Sequence, residues 1–460
     1  MEGVIEVPVW VATLIGVAAA VAVLDRLVAP SFRWLLRRRL HRAVDEFNER
    51  LQLRIQPFKL IRRRELIDRL VYDPTVVQAA EDHGVETGMP RDLVMRQVRE
   101  YAREITPSFS AHMYFFIGAR VSRWISRMLY RVRLGAFDEN GLSGVDREAT
   151  VVFVMNHKSN VDYLLVTYLA STSSALSYAV GEWAQIWPLN RLIRSMGAYF
   201  IRRRSRDELY RAVLRRYVQL ATEGGVAQAI FPEGGLSRDG KLGPPKLGLL
   251  SYIVDGFDPE GRDVVFVPVG LNYDRVLEDR ILMAADLGKD GKARFKVSLW
   301  TAAKFVFGVL FGRLIGTVNR FGYACVSFGA PLSLKEHFEE RGGDVADLGD
   351  RLARRIGAVV PALPTPLIAT ALLQADRPLA LIDLKTEAST LMERLTDQGA
   401  HLHVPRSDFD YAVEVGLRML VRRRIVTETG GLYAPADGEA ETVRFYANSI
   451  AHLTGLKAPK

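Results

Sequence analysis

The chain has 460 residues, 48% of them hydrophobic, and 62 Lys and Arg against 53 Asp and Glu, a net charge of +9. That length permits two or three domains and a sizeable core, and the basic excess, gathered into arginine runs at 37–39, 62–64, 202–204 and 422–424, points to anionic partners: phospholipid head groups, phosphorylated metabolites or nucleic acid. A single cysteine excludes an intrachain disulfide, and the apolar setting of Cys325 (YACVSFGAP, 323–331) favours a small buried side chain over a nucleophile.

Residues 7–24 carry no charge, which is the short end of what spans a bilayer as a helix. Glu2 and Glu6 precede them without any lysine or arginine, so the segment lacks the basic start of a signal peptide and reads as a retained anchor. Arg26, Arg33, Arg37, Arg38, Arg39 and Arg42 follow, and the positive-inside rule puts everything after them on the cytoplasmic side of the membrane. From 32 to about 104 the pattern is helical and strongly charged, with a break at 84–90 (GVETGMP). Residues 113–134 (MYFFIGARVSRWISRMLYRVRL) interleave aromatics and arginines at helical spacing. Such a helix suits a membrane interface, or the body of the protein with a solvated basic face.

Residues 135–146 read as turns. Strand-like runs then follow at 151–155, 177–180, 199–201, 226–231, 264–269 and 324–328, with amphipathic stretches between several of them. This alternation predicts an α/β sheet covered by helices. The apolar patch at 305–315 is too short to span a membrane and reads as a core helix. After Pro331 the pattern turns helical at 352–360, 382–396 and 411–422, and 425–435 (IVTETGGLYAP) reads as a hairpin turning at Gly430 and Gly431. Helices before a hairpin outline a winged helix, which keeps open a membrane-tethered nucleic-acid-binding regulator. His401 and His403 read as a surface pair, since no further ligands stand at zinc-site spacing, and no metal is expected.

The richest stretch is 151–162, VVFVMNHKSNVD. A buried-strand signal delivers His157 to a polar turn, and Ser159 or Asn160 caps a helix that has Asp162 in its first turn. On one continuous helix, groups five apart would stand about 140° apart, so the pair needs the turn to meet. A carboxylate on one imidazole nitrogen leaves the other as a base, suited to removing a proton from a substrate's own hydroxyl with no covalent enzyme intermediate. The plainer reading is a strand-end histidine and a capping aspartate.

Three more stretches accompany it in order: GAYFIRR (197–203), FPEGGLSR (231–238) and VPVGLNY (267–273). Together they resemble the four ordered blocks of the glycerolipid acyltransferases. Within that superfamily the chain resembles the bacterial membrane-bound glycerol-3-phosphate 1-O-acyltransferases. NHKSNVDYLL is similar to their histidine block, while KLGLL (246–250), VSFGAPL (326–332), YANSIAHL (446–453), DPTVVQAAEDHG (73–84) and REYAREI (99–105) resemble stretches around the core.

The resemblance covers roughly residues 60 to 455. It implies a central mixed sheet flanked by helices, divided as an anchor (1–30), a helical, basic, membrane-proximal region (31–135), an α/β acyltransferase domain (136–340) and a mainly helical C-terminal domain (341–460). It implies transfer of a fatty acyl group from acyl-CoA or acyl-acyl-carrier protein to the sn-1 hydroxyl of glycerol 3-phosphate, at the cytoplasmic face of the inner membrane and in contact with membrane lipid. No cofactor is needed beyond the acyl co-substrate. His157 would be the general base and Asp162 its orienting partner. Arg202 or Arg203 would hold the acceptor phosphate, Glu233 and Gly234 would shape the acceptor pocket, and Lys246 would add charge for the acceptor phosphate or for coenzyme A.

Two departures bear on the acceptor. Leu236 stands where the family usually has an arginine, leaving Arg238 or Lys241 to reach in, or leaving a lysophospholipid or other polar alcohol as the acceptor. GEWAQIWPLN (181–190) replaces a Gly-x-Asn element.

Overall fold

The computed structural model describes residues 58, 61–110, 113–170, 176–181, 189–202, 205, 207–287, 308, 312 and 320–455. The expected anchor at 7–24, the arginines up to Arg42, Arg203, most of GEWAQIWPLN and almost all of the apolar patch at 305–315 lie outside the described residues. Among those described, no helix is long and apolar enough to cross a membrane.

All six expected strands form. They are β2 (Thr150–Met155), β3 (Ser177–Gly181), β4 (Tyr199–Ile201), β5 (Gln228–Ile230), β6 (Val264–Tyr273) and β7 (Tyr323–Phe328), joined by β1 (Arg131–Phe137) and β8 (Leu332–Ser333). The order is β1-β7-β6-β2-β5-β3-β4, with β8 also on β6. From β6 through β4 neighbours run parallel, whereas β7 and β8 lie antiparallel to β6, so the sheet is mixed. Strand β2 shows why helices cover both faces. Its side chains alternate, Val151, Phe153 and Met155 entering one core and Val152 and Val154 the other, and all are buried.

The first core holds the C-terminal helices Pro364–Ala375, Leu381–Asp397, Phe409–Arg422 and Ala440–Asn448, through residues such as Leu367, Leu391, Leu417 and Phe445. The second holds the N-terminal helices Arg63–Val71, Pro74–Thr87 and Arg91–Ile105 together with Glu208–Glu223. The expected hairpin forms as β10 (Val426–Thr429) and β11 (Leu432–Pro435), turning at Gly430 and Gly431, which adopt φ of 60° and 80°. A short strand, β9 (Leu379–Ala380), pairs with β11.

Three expectations are corrected. Residues 113–134 are not one helix: a π-helical turn (Met113–Gly118) leads into the helix Ala119–Leu129, and the chain then extends as β1, parallel to β7. Burial of Tyr130, whose hydroxyl donates to the Arg275 carbonyl at 2.8 Å, ends the helix. Residues 135–137, read as turn, continue β1. A Cβ on Gly135 would come 2.2 Å from Ser327 Oγ of β7, so glycine is what lets the strands approach. His401 and His403 are half-buried rather than a surface pair. The His403 ring packs edge-on against Tyr323 at 4.7 Å, and burial, with Arg133 adding to it, holds its pKa down at about 4.

The unfolded chain therefore takes up a proton on His403 near pH 6.5 that the fold accepts only near pH 4. The stability this contributes is complete above the upper value and is lost as pH falls toward the lower. Thermal unfolding followed by circular dichroism should show a smaller loss of Tm across that window in His403→Gln than in the wild type.

Candidate active site

Strand β2 ends in a side chain that prolongs the sheet. Asn156 Nδ2 donates to the Leu271 carbonyl at 2.9 Å and its Oδ1 accepts from Leu271 N at 2.7 Å, an extra rung to β6 that fixes the start of the turn 157–161. The helix Asp162–Ala170 follows, and its first residue closes the turn. Asp162 Oδ2 accepts from His157 Nδ1 at 2.9 Å, Lys158 N at 2.8 Å and Ser159 N at 3.1 Å, while Oδ1 accepts from the Tyr273 hydroxyl at 2.5 Å. With both oxygens serving as acceptors, the proton between Asp162 and His157 belongs to Nδ1, and Nε2 keeps its lone pair.

The loop after β5 wraps the same histidine. His157 N donates to Glu233 Oε1 at 3.0 Å, Ser237 N donates to the His157 carbonyl at 3.0 Å, and Gly243 N donates to Glu233 Oε2 at 3.1 Å. Glu233 is therefore spent on ordering its loop. Burial pushes its pKa up, and Lys158 and the two N–H groups oppose that. Gly234 has φ of 66°, and a Cβ there would come 2.7 Å from Lys246 Cδ, so glycine lets the lysine lie across the loop.

Three side chains that the sequence did not single out complete the frame. Tyr273, at the end of β6, holds the second Asp162 oxygen. Lys158, 2% exposed, donates from Nζ to the Gly240 carbonyl, and burial lowers its pKa against the opposing pull of Glu233, Asp239 and Asp162. Glu278 accepts from Ser159 Oγ at 2.7 Å and from Asn160 N and Nδ2 at 3.2 and 3.0 Å. Tyr273 and Lys158 lay within quoted blocks, and Glu278 in none. A lysine in a polar turn reads as solvated, and Glu278 is more than a hundred residues from its partners.

The imidazole is 2% exposed. Its ring stacks on Phe231 at 4.2 Å and meets Tyr163 edge-on at 5.5 Å, and both of those rings line a cleft of about 220 Å³. His157 itself does not line that cleft. Its charged lining residues are Arg202 and Lys246, beside Gly234 and apolar walls that include Leu214, Ile230 and Leu249. Arg202 leaves the end of β4 to pair with Glu104, Nε to Oε1 at 2.9 Å and Nη2 to Oε2 at 2.5 Å, with its guanidinium over the Tyr101 and Tyr210 rings. Its pKa is raised, chiefly by Glu104. Arg238 is exposed and outside the lining, and Leu236 packs half-buried against the core. Among the described residues no cluster suited to a metal ion is found.

An imidazole with a carboxylate at its back, beside a cleft with two cations and apolar walls, is an arrangement able to take a proton from an anionic molecule that also carries an apolar group. Residues 137–272 match the family model for acyltransferases, and 308–458 match that for the glycerol-3-phosphate acyltransferase C-terminal region. Over these two successive stretches the chain is similar to acyltransferases. Among its relatives are glycerol-3-phosphate acyltransferases of Pseudomonas putida, 26% identical over 422 residues, and of Ectopseudomonas mendocina, 28% identical over 425 residues. Each alignment covers 86% of this chain and 49% of the relative. An acyltransferase of Mycobacterium tuberculosis is 31% identical over 336 residues, covering 70% of this chain and 51% of its own. The chain thus spans about half the length of the curated relatives it matches. The crystal structure of a 1-acyl-sn-glycerophosphate acyltransferase from Thermotoga maritima aligns at a TM-score of 0.32 and 16% identity, covering 65% of this chain and 96% of that one, too slight a likeness to bear on the site.

The hydrogen bonds to Asp162 predict the effect of an isosteric change. An amide in its place retains one acceptor oxygen for donors that converge on two, so Asp162→Asn loses the orientation of His157. Its kcat in acyl transfer should fall by about 10³-fold or more. A variant that stays folded by circular dichroism and keeps wild-type turnover would rule out the carboxylate as the orienting group.

Proposed function

We propose that this protein transfers a fatty acyl group from acyl-CoA or acyl-acyl-carrier protein to the sn-1 hydroxyl of glycerol 3-phosphate. The observation that carries the reading is the fixed His157–Asp162 pair, with a free Nε2, beside a cleft whose charged lining is Arg202 and Lys246. In this mechanism His157 Nε2 takes the hydroxyl proton as the oxygen attacks the thioester carbonyl. The C–S bond breaks from the tetrahedral intermediate, the ester remains on the acceptor, and the imidazolium returns its proton to the departing thiolate. Arg202 and Lys246 hold the acceptor phosphate by charge-assisted hydrogen bonds. Because Phe231 and Tyr163 form the cleft wall at the imidazole, the reading requires one of those rings to turn when the substrates bind.

With palmitoyl-CoA and glycerol 3-phosphate, His157→Ala should lose on the order of 10³-fold in kcat while remaining folded by circular dichroism. Near-wild-type transfer by the folded variant would end the assignment.

Leu236 supports a second reading, in which the acceptor is a lysophospholipid or another polar alcohol. The neutral side chain packs into the core, and Arg238, the nearby candidate to replace a missing charge, is exposed away from the cleft lining. A panel of acceptors separates the two: a clear preference for an acceptor lacking phosphate would remove glycerol 3-phosphate.

The reading places the protein at the cytoplasmic face of the inner membrane. A described surface supports contact with lipid. Ile117, Val121 and Trp124, 41%, 44% and 50% exposed, fall at i, i+4 and i+7 on one face, with Arg120 and Arg127 beside them in the chain. The protein should sediment with vesicles containing anionic phospholipid and less so as salt rises. Trp124→Ser should weaken binding on the order of tenfold, the effect of losing about 1.4 kcal/mol of apolar burial. Equal binding by the variant would exclude this face.

A further inference from the structure

The matched acyltransferase region begins at residue 137, yet one partner of the cleft arginine comes from the helix Arg91–Ile105, well before it. A guanidinium offers two bidentate edges, the side formed by Nε and Nη2 and the end formed by Nη1 and Nη2. In Arg202 the first is taken by Glu104, in the fork-to-fork geometry described above. Among the described residues none hydrogen-bonds to Nη1.

The guanidinium is also fixed in its plane. Its carbon lies 5.1 Å from the Tyr101 ring centre and 5.2 Å from that of Tyr210, and these two rings meet at 84° and 5.3 Å. Tyr101 and Glu104 stand three apart on one helix and so share a face. Tyr101 is itself tied down, donating to Asp207 and accepting from Gln97 Nε2 at 2.7 Å, and the Tyr210 hydroxyl accepts from Arg202 N at 3.0 Å. Glu104 is 17% exposed at its side chain, against 39% for Arg202. The carboxylate thus sits on the inner side of the pair.

From this cradle we propose that Glu104 is a positioning residue for the acceptor. By occupying the Nε/Nη2 edge of Arg202 it aims the Nη1/Nη2 edge at the cleft, where two phosphate oxygens are received with Lys246 as the second cation. The inference rests on the proposal above that Arg202 takes the acceptor phosphate. Two anions on adjacent edges of one guanidinium are compatible, because each edge has its own pair of N–H groups, the two edges using different hydrogens of Nη2. The carboxylate also tempers the net charge that the phosphate meets, which keeps an acylated product from being held too tightly. An arginine freed from Glu104 regains the rotamers of a long side chain and must be ordered again at each binding event.

The test uses the 460-residue chain with glycerol 3-phosphate and palmitoyl-CoA, measuring KM for each and kcat. Glu104→Ala should raise KM for glycerol 3-phosphate by about tenfold, while KM for palmitoyl-CoA and kcat change by less than about twofold. Glu104→Gln, which keeps one acceptor for one N–H, should fall between. A merely structural helix contact would lower Tm or affect both substrates alike. In an Arg202→Met background, Glu104→Ala should have no further effect on KM. An unchanged or lowered KM for glycerol 3-phosphate in Glu104→Ala overturns the proposal, the lowered value marking Glu104 as a competitor of the phosphate. If Arg202→Met itself leaves that KM unchanged, the phosphate assignment of Arg202 fails first, and the two failures are told apart.

Discussion

Asp162 is the point on which the site hangs. Its carboxylate ties the turn after β2 and the start of its own helix to the distant end of β6 through Tyr273. A carboxylate wholly removed from water is costly unless its lone pairs are met, and here the turn exists in the shape that meets them. Two further carboxylates, one buried and one half-buried, enclose the same few residues. Glu233 grips the turn through His157 N, and Glu278 grips it through Ser159 and Asn160. Burial raises the pKa of both, so each is stable as a charge only by virtue of the donors around it. Lys158 supplies the opposing charge in the same interior. Removing one partner from such a set leaves an uncompensated group, which is why the turn has little freedom to be anything but rigid.

That rigidity extends into the C-terminal helices. The loop that carries Glu233 returns past Gly240, where φ is 85° and a Cβ would come 2.0 Å from the Phe445 carbonyl. Asn448 Nδ2 donates to the Asp239 carbonyl at 2.8 Å, and Lys158 reaches Gly240 from the opposite side. One helix further, the Tyr446 hydroxyl and Arg423 both converge on Asp279, next to Glu278. The helix Ala440–Asn448 therefore backs the loop over the imidazole as well as the segment that steadies Ser159 and Asn160. Residues outside the four ordered blocks thus hold the turn that carries His157 in place.

Much of this was legible. The strands announced themselves through unbroken apolar runs, and the spacing of His157 and Asp162 demanded a turn between them. What escaped had physical reasons. In β1, arginines alternate with apolar residues directly after an amphipathic helix, so the end of one period and the start of the other look alike until Tyr130 is seen to be buried. The helix Pro364–Ala375 is buried on every side over most of its length and so carries no amphipathic signal. Arg202 stood out as a cation at a strand end, but its partner Glu104 is 98 residues earlier in a helix that reads as a charged surface. Pairings over such distances are written in the fold and not in local pattern, and the same holds for Glu278 with Ser159 and for Tyr273 with Asp162.

The depth of the imidazole bears on what the site can do. A histidine base that turns an alcohol into a nucleophile can do the same to water, and a thioester facing an activated water is simply hydrolysed. With 2% of His157 exposed and aromatic rings on two sides of it, bulk water has little access to Nε2 until a substrate displaces one of them. The apolar surround also strengthens the hydrogen bond between Asp162 and the ring when the latter becomes cationic. On the proposed reading, burial therefore favours transfer over hydrolysis by making the base available only when a bound acceptor opens the way to it.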